Sequence, residues 1–148
     1  MPKRTVLIRK LTGKAVLPVK ATSGSAGYDL SAAIDEPVTI QPGEIRKIST
    51  GLAIQLPGDD LVAMIYARSG LSVKHGITLP NCVGVIDSDY RGELLVALIN
   101  LSKEPYTIQP SERIAQLLVM PLAPVELMEA ETLDETRRSE GGFGSTGR

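Results

Sequence analysis

The feature that most limits how this chain can fold is the shortness of its apolar runs. Segments such as TVLI, LAIQL, LVAMIYA and IAQLLVM are separated by clusters of Gly, Pro and Asp. No segment repeats apolar residues with the 3.6-residue period of a long helix. Short apolar runs bounded by turn residues are typical of antiparallel β-proteins. We therefore predict an all-β fold, a jelly-roll-like sandwich or barrel.

Two of the runs, LVAMIYA and ELLVALIN, are almost continuously apolar. Because side chains alternate between the two faces of a strand, we expect both faces of these strands to be covered. The chain has one Phe and no Trp, so the predicted core consists of Val, Ile, Leu, Met and Ala.

One hexapeptide occurs almost twice, as TIQPGE at 39–44 and as TIQPSE at 107–112. Each copy combines a strand end with a turn that begins at proline. The repeat indicates two similar Greek-key halves, and convergent turn chemistry is the alternative explanation.

Charge, cysteine and histidine content argue against several classes of protein. The chain has 16 Lys and Arg against 17 Asp and Glu, so we expect no nucleic-acid partner held by bulk charge. We find no apolar run of membrane-spanning length and no signal-like start, so we expect no membrane partner. The lone Cys82 cannot form an internal disulfide, and the lone His75 cannot build a multi-histidine zinc site. A reduced, cytoplasmic location is the expectation.

The end of the chain differs from the rest in composition. Charge rises and apolar density falls from Glu129 onward, so we expect a β domain over 1–128 and an arm over 129–148. The arm ends in EGGFGSTGR, which contains the only Phe, Phe143. A flexible, inactive tail is the plain interpretation. The alternative is a lid over a phosphorylated ring compound, because glycine N–H groups, hydroxyls and the Arg138 guanidinium all bind phosphate.

Polar clusters stand at the ends of the apolar runs. Each has an ordinary explanation on its own, as a turn, a solvated acid or a strand amide. The clusters are GSAGYDLSA with Asp29, ARSGLS with Arg68, Ser69 and Gly70, NCVGVIDSDYRGEL with Asn81 and Asp87, and ERIAQLL with Gln116.

Taken together and in order, these segments resemble the motif set of the trimeric deoxyuridine triphosphatases (dUTPases). The matching segments are AGYDL, RSGL, GVIDSDYRGEL, ERIAQL and GGFGSTG. The chain departs from the family pattern at Ser139, where the fifth motif usually has glycine.

The resemblance implies a β jelly roll that forms a homotrimer, with three active sites at the subunit interfaces. It also implies hydrolysis of dUTP to dUMP and pyrophosphate with Mg²⁺ as the cofactor. Such an enzyme keeps uracil out of DNA and supplies dUMP for thymidylate synthesis.

The resemblance also implies a role for individual residues. Asp87 would be the general base that activates the attacking water for attack on the α-phosphate. Uracil would be read by Asn81 together with the backbone of Val85 and Ile86, and Tyr90 would lie against the deoxyribose. The residues implied in phosphate, metal and lid functions are Arg68, Ser69, Gly70 and Gln116 for phosphate, Asp29 for the metal through water, and Arg138, Phe143, Gly144, Ser145 and Thr146 for the lid.

Three alternatives remain at this point. Asp87 and Asp89 would share one face of a strand and could bind a metal directly, although a triphosphate brings better ligands for Mg²⁺. A dCTP deaminase, or a bifunctional enzyme releasing dUMP from dCTP, would have the same fold. A non-catalytic nucleotide-binding protein should lack the base or the lid, and this chain has candidates for both in Asp87 and Phe143.

Overall fold

The structure is a computed structural model and describes residues 3–145, in which the chain forms eleven strands and one helix. In chain order, the elements are β1 (Leu7–Lys10), β2 (Tyr28–Ser31), β3 (Val38–Ile40), β4 (Ile45–Ser49), β5 (Leu52–Gln55), β6 (Leu61–Ala67), α1 (Ser69–His75), β7 (Ile77–Thr78), β8 (Gly84–Ile86), β9 (Leu95–Asn100), β10 (Tyr106–Ile108) and β11 (Arg113–Pro121).

The strands form four antiparallel sheets. The largest sheet has the order β2-β11-β6-β8, and a second has the order β4-β9-β7. The pairs β1-β5 and β3-β10 form two smaller sheets. The predicted all-β, jelly-roll-like class is confirmed, and α1 is an addition that the strand pattern did not predict.

An aliphatic core holds the sheets together. Its fully buried members come from many strands and include Leu30, Ile40, Leu52, Leu98 and Ile108. Within residues 3–145 the buried hydrophobic residues are Leu, Ile, Val and Ala, which agrees with the prediction, except that no Met of this range is among them. Burying each such side chain stabilises the fold by roughly 1.5–3 kcal/mol.

The two continuous apolar runs behave differently. Side chains of β6 are buried or half-buried on both faces, as predicted. In β9, Val96 and Leu98 are buried on one face. On the other face Leu95 is exposed and Ala97 and Ile99 are half-buried, so that face is only partly covered within one chain. Asn100 ends the buried face of β9, and its amide nitrogen donates to the carbonyls of Ile40 and Glu104. These bonds satisfy a polar group that would otherwise destabilise the core.

The repeated hexapeptides meet in the structure. β3 pairs with β10 so that Thr39 lies opposite Thr107, and their hydroxyl oxygens are 2.8 Å apart. Each hexapeptide also ends in a glutamate that closes its own turn. Glu44 accepts from the Gln41 N–H, and Glu112 accepts from the corresponding Gln109 N–H, both at 2.8 Å.

The third turn position of both hexapeptides lies in the left-handed region. Gly43 has φ 77°, and Ser111 has φ 63° at the matching position. Serine adopts this conformation less readily than glycine, so the second corner is the more strained of the two. Its glutamate, Glu112, also accepts from the hydroxyl of Tyr106 at 2.6 Å. Burial and then this bond raise the pKa of Tyr106 to about 12.

Regular structure ends before the chain does. β11 stops at Pro121, and between 122 and 145 the chain forms neither strand nor helix. Apolar side chains in this stretch, such as Val125 and Leu127, are almost fully exposed. Within residues 3–145 no helix is long and apolar enough to span a membrane. The boundary between 128 and 129 remains a prediction.

Candidate active site

Three neighbouring strands bring one group of the predicted residues together. Asp29 on β2 is paired with Gln116 on β11, and Gln116 is paired with Tyr66 on β6. Residues paired directly across a sheet point to the same face, and Arg68 follows Tyr66 by two positions. The sheet therefore directs Asp29, Gln116 and Arg68 into one region.

This region is a pocket of about 280 Å³, called here the Asp29 pocket. Its lining residues are Ala21, Ser25, Ala26, Gly27, Asp29, Arg68, Ser69, Gly70 and Gln116. All five residues predicted to contact phosphate or metal are in this set, so the structure brings that part of the predicted site together.

A small ion-pair network organises the Asp29 pocket. The Arg68 Nε atom lies 3.1 Å from Asp29 Oδ1, and an Arg113 terminal nitrogen lies 3.0 Å from Asp29 Oδ2. A terminal nitrogen of Arg68 also donates to the Arg113 carbonyl at 3.2 Å. The Asp29 side chain is only 14% exposed. A buried charge is costly unless it is paired, and the two arginines provide this pairing.

Arg113 was quoted in its motif but given no function. Counted along a regular strand, Arg113 and Gln116 are three residues apart and point to opposite faces. The β2–β11 register shifts between Arg113 and Ala115, which indicates a β-bulge. A bulge changes the direction of side chains on one strand. The strand period alone could therefore not place Arg113 beside Asp29.

Gln116 is held by its neighbours. Its amide nitrogen donates to the Ala67 carbonyl at 3.0 Å. A Cβ atom added at Gly27 would lie 2.7 Å from the Gln116 amide oxygen, so glycine is the residue that fits beside it. Because an amide NH₂ group has two hydrogens, the second remains open to a ligand in the pocket.

The donor set of the Asp29 pocket fits a metal held through water. Both Asp29 oxygens already accept from arginine, yet each carboxylate oxygen has a further lone pair for a metal-bound water. No group of three His, Cys, Asp or Glu side chains that could hold a metal occurs within residues 3–145. Mg²⁺ commonly keeps several waters and takes its other ligands from phosphate.

A second group of predicted residues lies at the end of β8. β8 pairs with β6, with Ile86 opposite Ala63, and Asp87 follows directly as the strand ends. The Tyr90 N–H then donates to the Asp87 carbonyl at 3.2 Å, which closes a turn. This turn brings the Asp87 carboxylate and the Tyr90 ring to the rim of the same pocket.

The rim encloses a pocket of about 230 Å³, called here the Asp87 pocket. Its lining residues are Val85, Ile86, Asp87, Tyr90, Glu93 and Leu95. Four of these were predicted. Glu93 lies within the motif GVIDSDYRGEL but has no predicted role, because the sequence of the motif does not indicate where its side chain points.

Asn81 lines neither pocket. It is exposed in the turn before β8, where its carbonyl accepts from the Val83 N–H at 2.7 Å. The next residue, Cys82, is exposed and has φ 68°, which is unusual for a residue other than glycine. The role of Asn81 in binding uracil remains a prediction.

The two pockets are separate within one chain and share no lining residue. Ile86 of the Asp87 pocket lies opposite Ala63 of β6, and Arg68 of the Asp29 pocket follows Ala63 by five residues. At roughly 3.4 Å per residue, the backbone positions of Ala63 and Arg68 are about 17 Å apart. One chain therefore places the predicted base and the predicted phosphate ligands at a distance from each other.

The predicted lid residues that the structure describes lie outside both pockets. The Arg138 Nε group donates to the Gly141 carbonyl at 2.8 Å, and Ser145 N–H donates to the Gly142 carbonyl at 3.0 Å. Phe143 is fully exposed. Gly144 is exposed beside it with φ 89°, and Thr146 lies outside the described residues.

Ser139 has φ 41°, so serine occupies a left-handed position where the dUTPase pattern has glycine. Its N–H donates to the Thr136 hydroxyl at 2.9 Å, and its own hydroxyl donates to the Thr136 carbonyl at 2.6 Å. These local bonds help serine to hold the conformation.

Comparison with curated proteins finds close relatives over nearly the whole chain. A protein of Desulfitobacterium hafniense, named deoxyuridine 5'-triphosphate nucleotidohydrolase, is 55% identical over 131 residues, covering 88% of this chain and 87% of that protein. A protein of Coxiella burnetii with the same name is 51% identical over 143 residues, covering 97% of this chain and 94% of that protein.

Solved structures give the same result. A mutant dUTPase of Staphylococcus bacteriophage 80alpha with dUpNHpp has a TM-score of 0.89 at 28% identity, covering 99% of this chain and all of that chain. A mutant dUTPase of phage phi11 of S. aureus, described with a structural Mg(II) ion, has a TM-score of 0.79 at 26% identity, covering 88% and 99%. The dUTPase family model matches residues 13–147, and with the ordered motifs and strand topology this match shows that the chain belongs to the dUTPase family.

Proposed function

We propose that the protein, a dUTP diphosphatase by family, hydrolyses dUTP to dUMP and pyrophosphate through attack of water on the α-phosphate. The observation that carries the proposal is the difference in side-chain chemistry between the two pockets. The Asp29 pocket combines arginine and amide donors suited to a triphosphate. The Asp87 pocket combines a carboxylate with apolar and aromatic surface suited to a nucleoside.

In the Asp87 pocket, Asp87 takes a proton from the attacking water. A positioned carboxylate base typically contributes about 10²–10⁴-fold to the rate. Tyr90 lies against the deoxyribose, where its ring leaves no room for a 2′-hydroxyl. These assignments are supported by the adjacency of the two residues on one rim.

Uracil is recognised by Asn81 and the backbone of Val85 and Ile86. Uracil presents acceptor, donor and acceptor groups along its pairing edge, and cytosine exchanges the last two. A backbone cannot exchange its N–H and C=O groups to follow, and unpaired buried groups reject such an analogue by about 10⁴–10⁵-fold.

In the Asp29 pocket, Arg68, Ser69, Gly70 and Gln116 bind the phosphates. Within residues 3–145, the guanidinium donors of Arg68 that do not contact Asp29 or the Arg113 carbonyl have no hydrogen-bond partner, so they are open to phosphate oxygens. Asp29 would hold the waters of Mg²⁺. The chemistry that Mg²⁺ would supply when bound with the triphosphate is neutralisation of the charge that develops during cleavage.

We infer that a complete site needs more than one copy of the chain. About 17 Å of strand lies between Ala63, opposite Ile86, and Arg68, and the rim of the Asp87 pocket exposes Val85, Tyr90 and Leu95 in a single chain. In a homotrimer, the Asp87 pocket of one copy would face the Asp29 pocket of another. The arm over 129–148 would close the site, with Phe143 stacking on uracil and Arg138, Gly144, Ser145 and Thr146 near the phosphates.

The direct test is pyrophosphate release from dUTP by the purified protein. We expect turnover with dUTP and Mg²⁺, its loss on chelation with EDTA and its recovery when Mg²⁺ is restored. Ammonia release from dCTP is measured in parallel, because the deaminases on this fold produce it. Ammonia from dCTP without pyrophosphate from dUTP would contradict the proposal. In the cell, the reaction would keep uracil out of DNA and supply dUMP, which agrees with the expected cytoplasmic location.

A further inference from the structure

The Tyr90 ring folds back over Gly92. A Cβ atom added at Gly92 would lie 2.5 Å from the ring atom Cζ and 2.9 Å from Cε2, and would also meet the hydroxyl. Real Cβ atoms do not approach other atoms this closely, so any side chain at position 92 would force the ring to move. Gly92 has an ordinary backbone conformation, because it is not among the residues with positive φ. The space beside the Tyr90 ring, and not the backbone conformation, is therefore what favours glycine at this position.

The far end of the Tyr90 ring is also fixed. Its hydroxyl donates to the Glu93 carbonyl at 3.0 Å. The ring thus lies close to Gly92 and is fixed at its far end by the hydrogen bond to the Glu93 carbonyl. Its position depends on how firmly the segment 92–94 is held.

That segment is anchored to the turn between β4 and β5. A carboxylate oxygen of Glu93 accepts from the Gly51 N–H at 2.8 Å and from the Ser49 hydroxyl. Both backbone groups of the following residue, Leu94, form hydrogen bonds. Its carbonyl accepts from the buried Thr50 hydroxyl at 2.6 Å, and its N–H donates to the Leu52 carbonyl at 2.8 Å.

The anchor lies within the core. Thr50, Leu52 and Leu94 are all fully buried, and core segments do not shift without losing packing. The Glu93 side chain connects this rigid turn to the rim of the Asp87 pocket, of which it is itself a lining residue.

From these contacts we infer that Gly92 and Glu93 are positioning residues that set the Tyr90 ring and thereby the discrimination of deoxyribose from ribose. The inference rests on the proposed function, in which Tyr90 lies against the sugar. Gly92 provides the space for the ring, and the Glu93 carbonyl fixes the position of its hydroxyl. Both residues act through the ring, although Glu93 also lines the pocket.

The test measures kcat/KM for dUTP and for UTP in the wild type and in Gly92→Ala. The ratio of the two values is the readout, because a merely destabilised protein loses activity on both substrates equally and keeps its ratio. We expect the preference for dUTP to fall by at least about tenfold in Gly92→Ala. Gly13→Ala is the matched control, since a Cβ atom there meets nothing within 4 Å, and it should keep the wild-type ratio.

Glu93→Ala provides an independent measurement if Gly92→Ala does not fold. It leaves the Gly51 N–H and the Ser49 hydroxyl without their shared acceptor, so the preference for dUTP should again fall. Combined with Tyr90→Phe, it should show an effect that is less than additive, because both changes loosen the same ring.

An unchanged dUTP-to-UTP ratio in folded Gly92→Ala, or in Glu93→Ala where only that variant folds, would overturn the inference and leave dUTP hydrolysis standing. Equal use of dUTP and UTP by the wild type would also overturn it, by removing the sugar discrimination of Tyr90. A wild type without any dUTP turnover would instead overturn the proposed function, and with it this inference.

Discussion

The Asp29 pocket and the Asp87 pocket differ in how complete they are within one chain. In the first, the carboxylate is largely buried and both of its oxygens are paired with arginines. In the second, Val85 and Tyr90 remain exposed beside the acid. One pocket is organised by charge pairs before any ligand arrives, and the other has an open apolar rim.

The difference shows what each pocket requires to work. Preorganised charges act on a phosphate without further rearrangement, and such preorganisation is a main source of catalytic power. A base works best where bulk water is excluded, because electrostatic interactions are stronger there. In the proposed function, the Asp87 pocket therefore depends on surfaces that cover it, namely a second copy of the chain and the arm.

The largest expected effect comes from removing the proposed base of the Asp87 pocket. Asp87→Asn keeps the size of the side chain and removes its capacity to accept a proton at neutral pH. We expect turnover of dUTP to fall by about 10²–10⁴-fold, with the Kd for a non-hydrolysable dUTP analogue nearly unchanged. Stopped-flow turnover and calorimetric binding check the two parts separately.

Asp89→Asn is the matched control for this experiment. Asp89 lies in the same turn but does not line the Asp87 pocket, so its replacement should reduce turnover far less. Equal losses in both variants, restored by higher Mg²⁺, would favour a direct metal pair and contradict a single base.

A second experiment tests whether the two pockets act together across copies. Asp87→Asn and Arg68→Ala each inactivate one pocket, and the two proteins are refolded together. If a site takes its pockets from different copies, about one site in four of a randomly mixed trimer has both pockets intact. We expect activity to rise to roughly a quarter of the wild-type value, well above either parent.

Native mass spectrometry confirms that mixed oligomers have formed. No recovery in their presence would mean that one chain supplies both pockets. Arg46→Ala is a suitable control for Arg68→Ala, because Arg46 also pairs with a carboxylate, Glu44, but is far along the chain from the site motifs. It should reduce activity little, since exposed ion pairs contribute about 0–1 kcal/mol.

The smallest expected effect concerns the cover of the Asp87 pocket. Stacking of an aromatic side chain on one base contributes about 1–3 kcal/mol, so Phe143→Ala should lower kcat/KM for dUTP roughly tenfold. The unfolding temperature should not change, because the ring is fully exposed. Leu133→Ala, an exposed apolar residue of the same arm, is the control and should retain activity. Equal loss in both variants would assign the effect to the arm in general and contradict stacking.

The sequence allowed the type of fold and most candidate site residues to be predicted, but it missed several contacts. Arg113 was not placed beside Asp29, because the register shift in β11 changes the direction of its side chain. Gly92 and Glu93 received no role, because the motif alone does not indicate that the Tyr90 ring folds back over them. The face of β9 that carries Leu95 was expected to be fully covered, because an apolar run does not reveal how much of a strand's surface is buried in the fold.

By itself, the sequence determined that the chain is an all-β protein with an aliphatic core, and it identified the family through five ordered motifs. The fold class and core follow from residue spacing along single strands and from local turn chemistry, whereas the family follows from the resemblance of the motifs. Only the tertiary structure decided that the motif residues divide between two separate pockets. The reason is physical, because the distance between residues on different strands depends on register and sheet order, which the period of a single strand does not contain.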